Sequence, residues 1–325
     1  MEIIRFTDLF CGVGGFRVAM ERVSKEYNLK SECVLSSDID SFCRLSYEAN
    51  FGEYPDGDIT EIDEKNIPDH DILFAGFPCQ PFSIIGQMRG FEDTRGTLFF
   101  DIARILKEKK PTAFVLENVK QLVGHNGGKT LKTILSSLKE IGYQTVMYSV
   151  LNALDYGLPQ KRERIIIVGH LDPVLFSFPV PVRPVPALEG FLEKKVDQKY
   201  YASSRIVEKR KSMHQAMCYP SIWHENKSGN ICSYPYSCAL RAGASYNYLL
   251  VNGERRLTPR EMFRLQGFPD SYQLIHPDGQ LRKQAGNSVP VNMIASVIRK
   301  LLPFVAKTLN PTHTLQEYNF CYNRS

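Results

Sequence analysis

The chain lacks the features that mark several specialised classes of protein. No run approaches the roughly 18 consecutive apolar residues of a membrane span, and MEIIRFTDLF has an acidic residue and a polar break too early for a secretory signal. The eight cysteines form no CxxC pair and no regular framework. We therefore expect a globular protein of the reducing cytoplasm, with no membrane partner, no disulfide scaffold and no metal site.

The net charge is small but unevenly distributed. There are 40 Lys and Arg against 35 Asp and Glu, yet residues 199–260 hold ten basic and only three acidic side chains. The same segment holds seven of the 16 tyrosines and the single tryptophan. Basic charge interleaved with aromatic rings is typical of a surface that faces phosphate groups. An ordinary solvated face is the alternative, and charge alone does not separate the two.

Residues 1–170 alternate short apolar runs with amphipathic stretches. This alternation predicts a doubly wound α/β domain with a parallel sheet. The predicted strands are IIRFTDLF, ECVLSSD, DILFAGF, TAFVLEN and RIIIVGH, with a helix around LFFDIARILKEKK. Five prolines between Pro173 and Pro186 exclude regular helix and central strand. We place a domain boundary there, which gives domains 1–172 and 173–282 and a C-terminal part, 283–325.

Two helices are predicted after residue 255. Thr258 and Pro259 begin a short one in TPREMFRLQGF. A longer one follows Pro290, because apolar residues recur there at helical spacing: Ile294, Val297, Ile298, Leu301, Leu302 and Val305.

Glycines and carboxylates at strand ends indicate a cofactor site. The first strand runs into Gly12, Gly14 and Gly15, a turn that lets a ligand approach the helix N-terminus, although it is not the G-x-G-x-x-G fingerprint. Asp38, at the end of the second strand, could bind ribose hydroxyls, and Asp58 could hold a base. An adenosine-containing cofactor is favoured over plain surface turns.

Reactive side chains follow the next strands. Cys79 comes just after DILFAGF, and Glu117 ends TAFVLEN, so both are expected at the ligand-binding edge of the sheet. Arg162 and Arg164 have the spacing of one strand face. Taken singly, a buried cysteine and solvated arginines are the simpler interpretation.

Six sequence blocks, in order, resemble the DNA (cytosine-5) methyltransferases of bacterial restriction–modification systems: DLFCGVGGF, GFPCQPFS, ENV, QKRER, RLTPREMFRLQGFPD and QAGNSVP. The resemblance covers residues 2–170 and 255–300. It implies a Rossmann-like S-adenosylmethionine-dependent domain, and it places the family's variable target-recognition region at 173–254. That is the segment in which the basic charge is concentrated.

The resemblance also implies roles for individual residues. Cys79 would attack C6 of a cytosine flipped out of double-stranded DNA, Glu117 would bind its N3 side, and Arg162 and Arg164 would hold its O2 edge, a phosphate or Glu117. The implied S-adenosylmethionine contacts are Phe10, Gly12, Gly14, Asp38, Ile39, Asp58, Ile59, Leu98, Asn287 and Ser288. The DNA contacts we expect are Gln80, Ser83, Arg241, Ser245 and Tyr246, with phosphate favoured for Arg241.

Two positions depart from the family pattern. Relatives more often carry Glu where Asp38 stands, and many carry Thr-Leu where this chain has Ala239-Leu240.

We expect a monomeric enzyme that acts separately from any cognate restriction endonuclease.

Other functions fit the sequence less well. A relative that methylates cytosine in tRNA remains the nearest alternative, and the basic segment favours duplex DNA over it. A nicotinamide oxidoreductase or a non-catalytic DNA-binding module would leave Cys79 and Glu117 unexplained. Methyltransferases of exocyclic amines would show Asn or Asp followed by Pro-Pro and an aromatic residue, and no such tetrapeptide occurs.

Overall fold

The computed structural model describes residues 3–78 and 98–309. Its central sheet has six strands in the order β2-β1-β3-β4-β7-β5. Their bounds are β1 Ile3–Leu9, β2 Lys30–Ser37, β3 Ile72–Gly76, β4 Ala113–Val119, β5 Thr145–Asn152 and β7 Glu163–His170. The α/β class predicted from the alternation is confirmed.

One strand direction predicted from the sequence is wrong. RIIIVGH, expected to be parallel, is β7, which pairs antiparallel with both β4 and β5. Only residues 153–162 connect β5 to β7, fewer than the dozen or more that a parallel crossover needs. The prediction also missed β5, because it is an edge strand whose Met147, Tyr148 and Val150 are exposed, so it shows no continuous apolar run.

Helices cover both faces of the sheet. The helices of the α/β layers are α1 Gly15–Glu26, α2 Ser41–Phe51, α3 Leu98–Lys109, α4 Lys129–Ile141 and, at the C-terminal end, α8 Val291–Leu309. Alternate strand residues enter two separate cores: Phe74 and Val115 pack with α1 and α8, whereas Leu73 and Phe114 pack with α3 and α4. This is the doubly wound arrangement.

The region after the proline-rich stretch forms a second, smaller sheet with a helix. It contains α5 Ser204–Met213 and an antiparallel sheet of β8 Ile222–Glu225, β9 Ile231–Tyr234 and β11 Leu249–Val251. The stretch itself has neither helix nor strand, as predicted, and is held to the first domain where Tyr156 Oη donates to the Pro179 carbonyl at 2.9 Å. The boundaries at 172 and 282 remain predictions.

A short parallel ladder connects the two regions. β6 (Gln160–Lys161), which immediately precedes β7, pairs with β10 (Ser237–Cys238) of the smaller region. The chain entering the central sheet therefore contacts the smaller region directly.

The predicted C-terminal helices are present. α6 spans Pro259–Leu265 and is capped by Thr258 and Glu261, each side chain bonding to the other's backbone. α7 spans Asp278–Asn287, so the predicted boundary at 282 falls inside this helix. The apolar stripe of α8 is buried, and α8 packs on α1, where Arg299 pairs with Glu26 at 2.5 Å.

Within the described residues, one helical stretch is long and apolar enough to cross a membrane by length and composition. It is Asp278–Leu309, and 72% of its most apolar window is buried inside the protein. Such burial is the behaviour of a core helix.

A glycine on β7 allows the strand to lie flush against its neighbour, and this generates a first prediction. A Cβ at Gly169 would lie 2.1 Å from the buried ring of Phe114. We expect Gly169→Ala to lower the free energy of unfolding by about 1–3 kcal/mol, the usual cost of overpacking. At Gly190 a Cβ would meet nothing within 4 Å, so Gly190→Ala should change the free energy of unfolding by less than about 0.5 kcal/mol. Urea denaturation of both variants tests this, and equal stabilities would contradict it.

Candidate active site

A cavity of about 550 Å³ opens where β1, β2, β3 and β4 end. This is the edge at which open α/β sheets bind their ligands. The described residues predicted for catalysis and cofactor binding line it, apart from Gly14. They are Phe10, Gly12, Asp38, Ile39, Asp58, Ile59, Leu98, Glu117, Arg162, Arg164, Asn287 and Ser288.

The antiparallel direction of β7 brings its first arginine to the end of β4. Arg164 pairs in register with Val119, two residues beyond Glu117. Arg164 Nε donates to Glu117 Oε1 at 2.7 Å, and the two side chains are only 15% and 10% exposed. The structure thus places an oriented, buried carboxyl group inside the cavity.

The environment of Glu117 favours its protonated form. Burial raises the pKa of this carboxyl above its ordinary value, and the charges of Arg164 and Arg162 only partly counter that rise. The raised pKa extends to higher pH the range over which this carboxyl group carries a proton that it can donate within the cavity.

Arg162 is engaged differently from Arg164. Its Nη1 donates to the Leu240 carbonyl at 2.9 Å, and its Nη2 donates to the carbonyls of Gly286 and Ser288 at 3.0 and 2.8 Å. Burial and the neighbouring Arg164 lower its pKa to about 9. These contacts differ from the expected contact with cytosine or Glu117. They fasten Leu240 of the smaller region and the C-terminal end of α7 to the start of β7.

The glycine turn and the second strand form one side of the cavity. The backbone N–H groups of Gly12 and Asp40 donate to the two carboxylate oxygens of Asp38, both at 2.8 Å, and each oxygen retains a lone pair for a further donor. Gly12 has φ +53° and nothing within 4 Å of its Cβ position. The glycine turn therefore leaves open space beside the fixed Asp38 carboxylate, as a ribose-bearing ligand requires.

The opposite rim combines an exposed apolar side chain with a fixed carboxylate. Ile39 is 75% exposed although it is a large hydrophobic residue. The Asp58 carboxylate accepts the backbone N–H and the hydroxyl of Thr60, both at 2.9 Å. A planar base could lie against Ile39 and present its polar edge to Asp58, so the cavity fits an adenosine-containing group.

Some predicted residues lie elsewhere. Gly14 does not line the cavity: it has φ +76°, and a Cβ there would lie 2.4 Å from the ring of Phe51. Packing and backbone conformation, rather than ligand contact, thus account for this glycine. Cys79, Gln80 and Ser83 lie outside the described residues, and Pro78, directly before Cys79, lines the cavity.

The predicted DNA contacts of the smaller region lie outside this cavity. Ser245 and Tyr246 are exposed. The guanidinium of Arg241 lies 4.9 Å from the centre of the Tyr248 ring, and the Arg241 backbone N–H donates to Tyr248 Oη at 2.9 Å.

Charge counting alone misjudges part of the basic segment. Arg210 is only 2% exposed and pairs with Glu225 at 2.6 Å, and Lys211 pairs with Glu254. In residues 3–78 and 98–309, no ion pair engages the exposed Arg205, Lys209 or Lys227. The surface available for phosphate is therefore smaller than the net charge indicates.

Sequence reasoning missed three buried amides that hold the site. Asn118 Nδ2 donates to the Phe77 carbonyl at 2.9 Å, next to the chain that leads to Cys79. Gln160 donates to the Leu265 carbonyl at 2.8 Å and accepts the Leu240 N–H at 3.1 Å, while Gln266 donates to the Ala285 carbonyl. A polar residue that ends a buried apolar run, as Asn118 does, is the signal that was available.

The described part of the chain has no group of three or more His, Cys, Asp or Glu side chains placed to hold a metal ion.

Comparison with known proteins agrees with this geometry. The family model for C-5 cytosine-specific DNA methylases matches residues 4–302. The chain is 53% identical over 320 residues to the Type II methyltransferase M.NgoBI of Neisseria gonorrhoeae, covering 98% of this chain and 97% of the relative. It is 52% identical over 305 residues to the Type II methyltransferase M.HaeII of Haemophilus aegyptius, covering 93% and 94%.

Solved structures show the same fold at low sequence identity. The methyltransferase EhMeth of Entamoeba histolytica superposes with a TM-score of 0.72 at 20% identity, covering 95% of this chain and all of that one. The S. pombe Dnmt2 methyltransferase gives 0.70 at 20% identity, with coverage of 94% and 99%. The sheet is thus that of a Rossmann-like methyltransferase, a fold class that uses S-adenosylmethionine. The chain belongs to the C-5 cytosine-specific DNA methylase family and is a DNA (cytosine-5) methyltransferase of the bacterial restriction–modification type.

Proposed function

We propose that this enzyme methylates a cytosine flipped out of a specific short sequence in double-stranded DNA, through a covalent bond between Cys79 Sγ and cytosine C6. The observation that carries the proposal is the buried Glu117–Arg164 pair, joined at 2.7 Å. It lines the same cavity as Pro78, the residue before Cys79. A duplex would have to release the base from its stack to reach this cavity.

Addition of the thiolate activates an otherwise unreactive carbon. As the Sγ–C6 bond forms, the electron pair of the C5–C6 double bond moves towards C5 and N3. Protonated Glu117 donates its proton to N3 and prevents charge from accumulating on the ring. Arg164 orients the carboxyl group through its Nε hydrogen bond, and its positive charge lies near the O2 edge of the base.

Two other thiols line the cavity, but they are poor nucleophiles. Cys11 and Cys43 are buried. Burial, together with the charge of Asp38, raises the pKa of each thiol well above its ordinary value. Neither supplies thiolate near neutral pH, and this favours Cys79 as the attacking group.

S-adenosylmethionine supplies an electrophilic methyl group when it is bound. We assign its ribose to Asp38, its adenine to Ile39, Phe10 and Asp58, and its methionine end to the Gly12 backbone, with Leu98, Asn287 and Ser288 completing the wall. The activated C5 forms a bond to the methyl carbon as the methyl–sulfur bond breaks. Loss of the C5 proton to a base then re-forms the C5–C6 double bond and returns the Sγ–C6 electron pair to sulfur as thiolate, while the proton on N3 returns to Glu117.

The biological role we propose is protection of host DNA against a cognate restriction endonuclease that acts as a separate protein. The support is the likeness over nearly the whole chain to bacterial Type II methyltransferases. We propose a monomer that works in the bacterial cytoplasm, with residues 173–254 choosing the target sequence.

Trapping with 5-fluorocytosine tests the covalent step. Fluorine at C5 cannot leave as a cation, so the adduct should persist after methyl transfer. A duplex carrying 5-fluorocytosine at the target position, which bisulfite sequencing first locates, should give a protein–DNA complex that survives denaturing electrophoresis. The complex should require S-adenosylmethionine.

Cysteine variants identify the bond. Cys79→Ala should abolish the complex and methyl transfer while S-adenosylmethionine still binds, and Cys232→Ser, at an exposed cysteine, should leave both unchanged. No complex on a confirmed target would refute the covalent mechanism. Trapping of fluorinated RNA alone would instead identify an RNA substrate.

The raised pKa of Glu117 predicts a pH dependence. Because the proton-donating form disappears as pH rises through this pKa, the single-turnover rate should fall on the alkaline side. Glu117→Gln should lower the rate by about 10²–10⁴-fold and lose that alkaline limb, because an amide does not ionise in this range. Duplex affinity should change little.

The matched control is Glu163→Gln. Glu163 neighbours Arg164 on β7 and pairs with Lys120 at the surface, so this variant should keep both the rate and the alkaline limb. A near-normal rate in Glu117→Gln would show that another group activates the ring.

The exposed cations of the smaller region should set the salt dependence of DNA binding. Each lost phosphate contact flattens the slope of log K against log salt by about 0.9. Replacing Arg205, Lys209 and Lys227 with Gln should therefore flatten the slope measured by fluorescence anisotropy. As a control, Lys25, Lys132 and Lys139 are exposed lysines of the first domain. Replacing them with Gln should leave the slope unchanged. An unchanged slope in the first variant would show that this surface is only solvated.

A further inference from the structure

A second cavity, of about 290 Å³, lies between the small sheet and helices α6 and α7. It shares no lining residue with the active-site cavity. Helix α7 separates the two, because Asp278 and Arg282 face the second cavity whereas Gln284 and Asn287 line the active site. Nothing in the proposed chemistry uses this second space.

The floor and walls of this cavity are fixed. Leu249 and Leu257 are buried at 3% and 2% exposure, and Tyr248 at 6%. The start of α6 behind them is held by its capping box and by the Arg255–Glu261 pair at 2.7 Å. The cavity is therefore preformed, as small-molecule sites usually are.

Tyrosine rings line the cavity, and one of them stands at its entrance. Tyr200, Tyr246 and Tyr248 all contribute to the lining, and Tyr246 is 60% exposed. Flat aromatic faces suit a planar ring, since any nucleobase can stack on an aromatic side chain whatever its identity.

The rim carries positive charge that the cavity does not neutralise. Among the described lining residues Asp278 alone is acidic, and it is occupied by Lys199 Nζ at 3.1 Å and by Tyr200 Oη at 2.8 Å. Arg282 lies 4.7 Å from the Tyr246 ring centre, and Arg256 lies 6.0 Å from it. In residues 3–78 and 98–309 no carboxylate pairs with either guanidinium.

The arginines are also held in place. Arg282 Nη2 donates to the carbonyls of Ala244 and Ser245, each at 2.6 Å, and the Arg256 guanidinium donates to the Lys199 carbonyl. Two anchored guanidinium groups beside a tyrosine ring form a site for an anion attached to a planar group.

We propose that this cavity binds a single nucleotide, with its base against the tyrosine rings and its phosphate on Arg256 and Arg282. The volume is at the lower end of the roughly 300–1,000 Å³ of ligand pockets, so it admits one nucleotide rather than a longer segment. One source of this nucleotide is the DNA strand that the enzyme binds, and to that extent the inference rests on the proposed function. A free nucleotide has the same chemistry.

Calorimetric titration of the full chain with each 2′-deoxynucleoside 5′-monophosphate tests the proposal. Saturating S-adenosylhomocysteine occupies the active-site cavity, and no methyl donor is present. We expect one saturable site, and at least tenfold weaker binding of the phosphate-free nucleosides.

Variants locate that site. Tyr246→Ala and Arg256→Gln should each weaken binding at least tenfold, while Tyr246→Phe should retain it because the ring remains. Tyr201→Ala and Arg5→Gln, at exposed residues that do not line the cavity, are the matched controls. Circular dichroism and thermal melting establish that each variant is folded. The proposal would be overturned if the wild type showed no saturable binding, or if Tyr246→Ala and Arg256→Gln bound the nucleotide with the same affinity as the wild type.

A competition arm distinguishes the two sources of the nucleotide. If a target duplex displaces the bound monophosphate, the site takes a nucleotide of the DNA strand; if the two bind together, it takes a free nucleotide. Methyl transfer by wild type on the same duplex is measured separately. Its absence would contradict the proposed function and leave the nucleotide result standing.

Discussion

The reversed direction of β7 is the constraint on which the active-site geometry depends. The strand has eight residues, so at a rise of about 3.3 Å per residue its first and last residues lie roughly 23 Å apart. A parallel β7 would begin at the far edge of the sheet and carry Arg164 away from Glu117. The short connection from β5 forces the reversal, and the 2.7 Å contact between the two side chains follows from it.

Burial of Arg162 ties the smaller region to the wall of the active-site cavity. A buried guanidinium is costly unless its donors are satisfied, and here Nη1 and Nη2 of Arg162 reach three backbone carbonyls. One belongs to Leu240 and two to residues 286 and 288. Gln160 adds a second attachment by accepting the Leu240 N–H. Because removing any of these segments would leave a buried cation unsatisfied, they are held together as one unit around the start of β7.

The sequence predicted those parts of the site that depend on local pattern. An apolar run that ends in a polar residue identified Glu117 and Asp38 at strand ends, and Thr258 followed by Pro259 identified the start of α6. Strand direction could not be predicted in this way, because an apolar run has the same periodicity in both directions. The partners of Arg162 lie about 80 and 125 residues away along the chain, so no local pattern contains them. A count of charged residues does not distinguish exposed from buried side chains, so it did not indicate that Arg210 is buried.

The cations of residues 199–260 divide into two groups with different physical roles. Lys199, Arg210, Lys211 and Arg255 form ion pairs that hold the smaller region together or fix it to α6 and α7. In the described residues no ion pair engages Arg241 or Arg256, and both lie near tyrosine rings. A guanidinium over an aromatic face is only partly compensated and keeps donors for an anion. The cations that form no ion pair in the described residues therefore serve in two ways. The exposed Arg205, Lys209 and Lys227 suit a general attraction to the phosphate backbone, whereas the two arginines beside tyrosine rings suit contact with individual nucleotides.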